Sequence, residues 1–269
     1  MRVSVIIITL NEAENIENTV VAARAAAQFD SGRAIPIEIV VSDGGSTDNT
    51  VQIAKGIADK VIETARGRSN QLNIGARAAS GDILVFLHAD TLLPKGAIAR
   101  LLHEYRDPSL IGGGFEKDWQ WSPNVARSSF VNAMTYFYQG VGNWVFTLLK
   151  KIPGDNAIFV KRRDFEEMGG YKNLWMCEDY DFSQQMVDLG KKRSKGFHKF
   201  HVAPMVTCIQ EHVLTSTRRF EKYGLLKTIM IWFQMYLMWR IGLPQDRIQR
   251  HFSHYSTIPE RPDVNYVKF

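Results

Sequence analysis

What most constrains this chain is a rhythm in its first hundred or so residues, where short apolar runs end in polar turns and each is followed by a stretch of helical composition. Val3 to Thr9 is the first run. It is continuously apolar rather than alternating, so it reads as a strand buried on both faces of a parallel sheet. Asn11 to Gln28 follows, alanine-rich, with Ile16, Val20 and Ala23 at helical spacing. Ile37 to Val41 is a second strand, stopped by Ser42-Asp43-Gly44-Gly45-Ser46, after which Thr47 or Asp48 can cap a helix through about Ala58. Val61 to Glu63 makes a third strand, Gly67 or Arg68 to Ala79 a helix, and Ile83 to Leu87 a fourth strand ending at His88-Ala89-Asp90. Pro94 and Gly96 punctuate the next helix start. The alternation predicts an open α/β sheet whose ligand site lies beyond the carboxyl ends of the strands, where the polar turns are.

The second half is less regular. Gly112 to Lys117 and Ala157 to Lys161 read as strands, Pro123 to Lys150 is rich in aromatics, and Asp181 to Leu189 suits a helix stopped by Gly190. The tail after Pro244 is expected to be loosely ordered. With no repeat and no linker-like stretch, 269 residues suit one domain with a C-terminal extension. Apolar residues at 45% and charged residues at 23% argue against disorder and fibrous folds. The net charge of +5 suits phosphate-bearing partners without pointing to nucleic acid, and Lys161-Arg162-Arg163 and Lys191-Lys192-Arg193 read as solvated helix ends. Two cysteines, Cys177 and Cys208, are too few for a disulfide scaffold and lack C-x-x-C spacing, which fits a reducing cytoplasm. Arg2 and the apolar run after it imitate a signal peptide, but Glu12, Glu14 and Glu17 argue against one.

Thr9-Leu10-Asn11-Glu12 stands where a dinucleotide-binding chain would carry G-x-G-x-x-G, and no Walker loop occurs, so hydride transfer and P-loop phosphotransfer lose their support. What remains is a set of acidic and amide side chains at successive strand ends. Asp43 can accept hydrogen bonds from a base or ribose, or simply close an Asx-turn. His88 and Asp90 offer ligands for a divalent metal on a diphosphate, although Asp90 also suits a cap before Thr91-Leu92-Leu93-Pro94.

Val5-Ile6-Ile7-Ile8-Thr9-Leu10-Asn11-Glu12, then Val41-Ser42-Asp43-Gly44-Gly45-Ser46-Thr47-Asp48, then Gly81-Asp82 leading into Phe86-Leu87-His88-Ala89-Asp90-Thr91, resemble in that order the family 2 glycosyltransferases with the GT-A fold. The run Gly67-Arg68-Ser69-Asn70-Gln71-Leu72-Asn73 with Leu87 to Thr91 is similar to a compact bacterial subgroup, some members of which are labelled as transferases associated with radical-SAM and selenium proteins. The resemblance spans most of the chain. It implies an α/β GT-A fold, a Rossmann-like open mixed sheet flanked by helices, with a catalytic domain over 1–212 and a helical extension and tail over 213–269. The donor half would cover about 1–95 and the acceptor half about 96–212.

The same resemblance implies a nucleoside diphosphate sugar donor, UDP-linked by preference, a divalent cation, Mn2+ or Mg2+, and a hydroxyl acceptor. It places Thr9, Asn11 and Glu12 near the base, Asp43 on the base, and Arg66 and Arg68 on the diphosphate at a helix start that favours anions. Asn73, His88 and Ala89 fall on the donor side, and Asp90 becomes the metal carboxylate. His88 stands where the common D-x-D motif has its first aspartate, which disfavours magnesium more than manganese. Met176-Cys177-Glu178-Asp179-Tyr180-Asp181 matches the family's acidic pair, with Asp179 as general base of an inverting transfer and Glu178 beside it. On sequence alone, carboxylates in a first helical turn are also ordinary dipole partners. Gly154, Asp155, Asn156 and Trp175 lie on the acceptor side, and His201 or His212 are candidates to complete the metal shell. Thr217-Arg218-Arg219-Phe220 replaces the Gln-x-x-Arg-Trp motif of processive synthases, which favours single transfer.

Two other readings compete: a catalytically silent nucleotide-sugar-binding protein, and a sugar-phosphate nucleotidyltransferase, whose glycine-rich N-terminal loop is missing. Thr228 to Leu243 is apolar almost all round but short of the ~20 residues of a spanning helix. It reads as a core helix, or, with the aromatic stretch from Phe130 to Phe146, as a homodimer contact or a shallow rim on the inner face of the membrane beside the acceptor site.

Overall fold

The computed structural model describes residues 1–28, 34–121, 129–149, 152–174, 176–194 and 206–252. The predicted alternation is present: β1 (Val3–Thr9), α1 (Ile16–Ala26), β2 (Ile37–Asp43), α2 (Thr50–Ile57), β3 (Lys60–Glu63), α3 (Arg68–Ala78) and β4 (Ile83–His88). Then come β5 (Thr91–Leu92), α4 (Ala97–Glu104), β6 (Gly112–Gln120), α5 (Ser129–Leu149), β7 (Ile158–Lys161), α6 (Arg162–Met168) and α7 (Glu178–Ser194). The chain closes with β8 (Val206–Ser216), α8 (Arg218–Tyr223), α9 (Leu225–Arg240) and α10 (Gln245–Phe252).

These strands form one eight-stranded mixed sheet in the order β3-β2-β1-β4-β7-β6-β8-β5. The first four run parallel, and β7 opposes β4 and β6. Strand periodicity divides the apolar run of β1 between two cores: Val3, Val5 and Ile7 join α1 and α4 on one face, while Ile6 and Ile8 join α3, α6 and α7 on the other. Double burial is why the run is continuous rather than alternating. Gly75 lets α3 lie close on the sheet, because a Cβ there would sit 2.5 Å from Ile6 Cγ2. On the α3 face Phe86, Phe165, Tyr171 and Phe182 form an aromatic cluster, with Tyr171 and Phe182 stacked at 4.2 Å.

Four expectations change. Gly190 does not stop α7, which continues to Ser194; Gly190 is buried, and Arg193 in the last turn bonds Asp164 and Glu167 at 2.8 and 2.6 Å. β8 was not predicted, and it runs through residue 212, the expected boundary, with the next helix starting at Arg218. A register shift between Phe115 and Glu116 accommodates its pairing with β6. The segment after Pro244 is helical to Phe252, with Ile248 and Phe252 buried one turn apart, while the rest of the expected tail, 253–269, lies outside the described residues.

Candidate active site

The parallel register sets Thr9 beside Asp43 and Ile8 beside His88, so three polar strand ends meet at one edge of the sheet. Asp43 is 1% exposed. It accepts from Thr9 Oγ1 at 2.7 Å, Gly45 N at 2.9 Å, Ser46 N at 2.7 Å and Ser46 Oγ at 2.5 Å. Those donors match the roughly four lone-pair sites of a carboxylate, so Asp43 has the geometry of the Asx-turn alternative and fixes the turn after β2. Asn11 braces the same turn from the other side. Its N–H donates to Ser46 Oγ and its Oδ1 accepts from Thr47 N, each at 2.8 Å. From α3, Gln71 Nε2 donates to the carbonyls of Thr9 and Ser42 at 2.8 and 2.9 Å, tying both strand ends to the helix.

Arg68 opens α3 and reaches across to the acidic pair that opens α7. Its Nη2 donates to Glu178 Oε2 at 3.0 Å, and its Nε lies 2.7 Å from Oε1 as an ion pair without hydrogen-bond direction. Glu178 is 2% exposed, and burial pushes its carboxyl up to about 7 against the opposing pull of Arg68. Asp179 is placed differently. It is only part-buried, and its Oδ2 and Oδ1 accept from the backbone N–H groups of Gly154 and Tyr180 at 2.7 and 2.8 Å. Gly154 lies close to both: a Cβ there would sit 2.9 Å from His88 Nε2, so the imidazole would have to shift, and 3.6 Å from Asp179 Oδ2. His88, Gly154 and Asp179 therefore converge. Next along, burial raises the pKa of Asp155, but Lys117, donating at 2.7 Å, outweighs it and holds the carboxyl below its usual range.

Asp90 and Glu12 share one cation from the far end of the chain. Arg218 Nη2 donates to Asp90 Oδ2 and to Glu12 Oε1, both at 2.8 Å. Arg219 follows it near Arg68, Asp90 and Asp155, and partial burial of its guanidinium, with the neighbouring Arg68 charge, lowers its pKa against the opposing pull of the two carboxylates. His212 is elsewhere engaged: the β6–β8 register sets it opposite Glu116, with Nε2 3.3 Å from Glu116 and Nδ1 2.8 Å from Asp118. No group of three or more His, Cys, Asp or Glu among the described residues forms a metal cage. Asp90 and His88 are the carboxylate and imidazole that would hold a divalent cation of the kind that takes its remaining ligands from a nucleotide's phosphates, once Asp90 is released from Arg218. Burial keeps the His88 imidazole neutral by lowering its pKa, and the neutral form is the one that ligates.

Other predicted residues serve the frame. Asn73 is fully buried and exchanges bonds of 2.9 Å with both the N–H and the carbonyl of Tyr171. Ala89 is buried, and its carbonyl accepts from Thr19 Oγ1 at 2.5 Å. Asn156 donates to Phe115 O at 2.6 Å, and Arg66 lies in the turn before α3. Trp175 and His201 lie outside the described residues. Sequence reasoning missed Gln71, Lys117 and the two arginines as parts of the cleft; the only signal was Arg218-Arg219 standing in place of a known motif.

Comparison with known proteins gives the family and the fold. The pattern of Glycosyl transferase family 2 matches residues 4–168, more than half of the chain, and the chain belongs to that family. The uncharacterized glycosyltransferase alr2836 of Nostoc sp. (strain PCC 7120) is 29% identical over 119 residues, 42% of this chain; the chain spans 35% of that relative's length. Among solved structures, S. aureus TarS in complex with UDP-GlcNAc superimposes with a TM-score of 0.55 at 15% identity, over 81% of this chain and 59% of that one. Glucosyl-3-phosphoglycerate synthase from Mycobacterium tuberculosis, in complex with Mn2+, UDP and glucosyl-3-phosphoglycerate, does so with a TM-score of 0.54 at 17% identity, over 90% and 80%. The mixed sheet flanked by helices is thus the GT-A fold.

Proposed function

We propose that the chain is an inverting glycosyltransferase that moves one sugar from a nucleoside diphosphate sugar, UDP-linked by preference, to a hydroxyl acceptor. One observation carries the reading: the two carboxylates that open α7 are held in different ways. Both oxygens of Glu178 are taken up by Arg68, whereas Asp179 is steadied by two backbone N–H groups and keeps lone pairs for a substrate. Asp179 accepts the acceptor's proton as the acceptor oxygen bonds to the anomeric carbon. The anomeric carbon's bond to the phosphate oxygen breaks, and its electron pair leaves with the nucleoside diphosphate. A single displacement of this kind inverts the anomeric centre. In this reading Arg68, Arg219 and the first-turn amides of α3 hold the departing diphosphate. A divalent cation on Asp90 and His88, with manganese favoured over magnesium, would supply further charge neutralisation there.

TarS with its UDP-GlcNAc and the mycobacterial synthase with its Mn2+ and UDP support the donor and metal assignments by fold likeness. Arg218-Arg219 in place of the processive motif supports single transfer. Membership of the radical-SAM and selenium-associated subgroup rests on residues 67–73 and 87–91 alone. We place the protein in the cytoplasm, at the inner face of the membrane, with the catalytic unit extending through β8; a homodimer is the competing use of its apolar faces.

The test is a thermal-shift panel of nucleotides and nucleotide sugars with and without Mn2+, followed by UDP release with hydroxyl acceptors. Asp179→Asn should keep the donor's thermal shift and lose transfer by at least ~100-fold. Wild-type turnover in that variant would remove Asp179 as base. A chain that binds the donor and never releases UDP would be the silent binder.

A further inference from the structure

We propose that the outer face of α9 seats the protein on an anionic bilayer, and that the acceptor hydroxyl is carried by a lipid at that surface. A helix that is apolar all round belongs in a core or against lipid, and α9 has only half of a core. Its inner side is packed: Trp232 lies 5.2 Å from the Phe220 ring, while Tyr236 and Trp239 lie 5.3 and 6.2 Å from Tyr180. The outer side carries Leu226, Met230, Phe233, Leu237 and Ile241, between 47% and 65% exposed. At about 100° per residue these five fall within an arc of about 80°, and they extend for about 22 Å. A contiguous exposed apolar stripe of that length marks an interaction surface.

The rim of the stripe selects the occupant. Lys227 and Arg240 sit near its two ends, and α9 contains no acidic residue. On the flanking helices Arg218 is turned to Glu12 and Asp90 in the site and Arg250 is paired with Asp246, which leaves Lys222 and Arg247 to add to the rim against Glu221. Cations bordering an apolar helix face match lipid acyl chains beneath negative headgroups. An antiparallel second copy would instead bring Lys227 toward Arg240 of its twin at both ends, setting like charges together. No described helix is long and apolar enough to cross a membrane, so the contact is one of lying on the surface.

The seat also explains the inner side. Tyr180, on which α9 packs, follows Asp179 directly, so a bilayer under α9 lies about one helix diameter, ~10 Å, beyond the Tyr180 ring. A hydroxyl on a lipid headgroup is within that reach. The acceptor part of the inference rests on the transferase reading, whereas the seat does not.

Flotation with phosphatidylglycerol–phosphatidylcholine vesicles tests it on the full chain. The protein should float with these vesicles, less so in high salt, and not with pure phosphatidylcholine. Phe233→Ser with Leu237→Ser should cut partitioning at least tenfold while leaving the thermal shift by UDP and Mn2+ unchanged. A benzophenone side chain in place of Phe233 should cross-link to lipid. Cross-links to a second copy or to residues 253–269 would overturn the seat, as would a failure to float while the nucleotide shift is intact. Flotation without any nucleotide shift would uphold the seat and overturn both the lipid acceptor and the transferase reading.

Discussion

Replacing Arg68 by glutamine strands Glu178, and the cost should depend on pH in a way that the geometry fixes. Glu178 is 2% exposed, and burial raises its carboxyl from 4.5 to about 7, with Arg68 pulling the other way. A carboxyl whose folded pKa is raised contributes most below its unfolded value; stability then falls as pH rises, until the folded pKa is reached. At ~1.4 kcal/mol per unit, wild type loses about 3 kcal/mol between pH 4.5 and 7 from this group, and nothing more above that. Arg68→Gln removes the opposing cation, so the upper edge of the window moves up and the fall continues. If the edge passes pH 8.5, the variant should be about 2 kcal/mol further behind wild type at pH 8.5 than at pH 6. That figure is below the 3–5 kcal/mol often found on breaking a buried pair, because uptake of a proton relieves the lone carboxylate. Packing lost with the arginine stem is common to both pH values and cancels. Urea unfolding of both proteins at pH 6 and pH 8.5 measures the difference, and a gap equal at the two pH values would refute the argument.

Arg218→Ala should raise Mn2+ affinity by at most about fivefold, because it frees Asp90 and Glu12 from a half-exposed pair worth up to ~1 kcal/mol; Asp90→Ala should abolish that binding, and calorimetry reads both. Asp43→Ala unties the turn after β2 and should cost ~1–3 kcal/mol of stability together with weaker nucleotide binding. Chemical denaturation and the thermal shift by UDP check it, and a turn that keeps full stability would show that the carboxylate was never its anchor.

The first hundred residues were legible because their rules are local. Continuous apolar runs, polar turns and capping residues each announce themselves within a few positions, and the topology of parallel strands then delivers Thr9, Asp43 and His88 to one edge. β8 was not legible for the opposite reason. Val206 to Ser216 contains Gln210, Glu211 and His212 amid scattered apolar residues, and only long-range pairing with β6 makes it a strand. α7 passed through Gly190 because tertiary contacts of its last turn outweighed a weak propensity signal. In α10, charges on the exposed face hid the pair Ile248 and Phe252, which sets its packing.

The site follows the same division, with one further lesson in its backbone. Arg218 could not be read as a partner of Glu12 and Asp90, since 206 and 128 positions separate them. Nor could strain be read from residue type. Among the described residues Asn11, Ala157 and Cys177 are the non-glycines in the left-handed region, at φ 54°, 49° and 60°. Asparagine tolerates that conformation, but alanine and cysteine do so at a cost of order 1 kcal/mol or more. Their places are not scattered: Asn11 braces the Asp43 turn, Ala157 follows the Gly154–Asn156 turn against Asp179, and Cys177 immediately precedes Glu178. Each is locked by neighbours, as where Cys177 O accepts from Asp181 N at 3.0 Å and Asn156 is anchored to Phe115. The frame therefore spends stability at the three loops that set the strand-end turn, the Gly154–Asn156 turn and the acidic pair, and on the proposed reading this holds Asp179 and His88 in position before any substrate arrives.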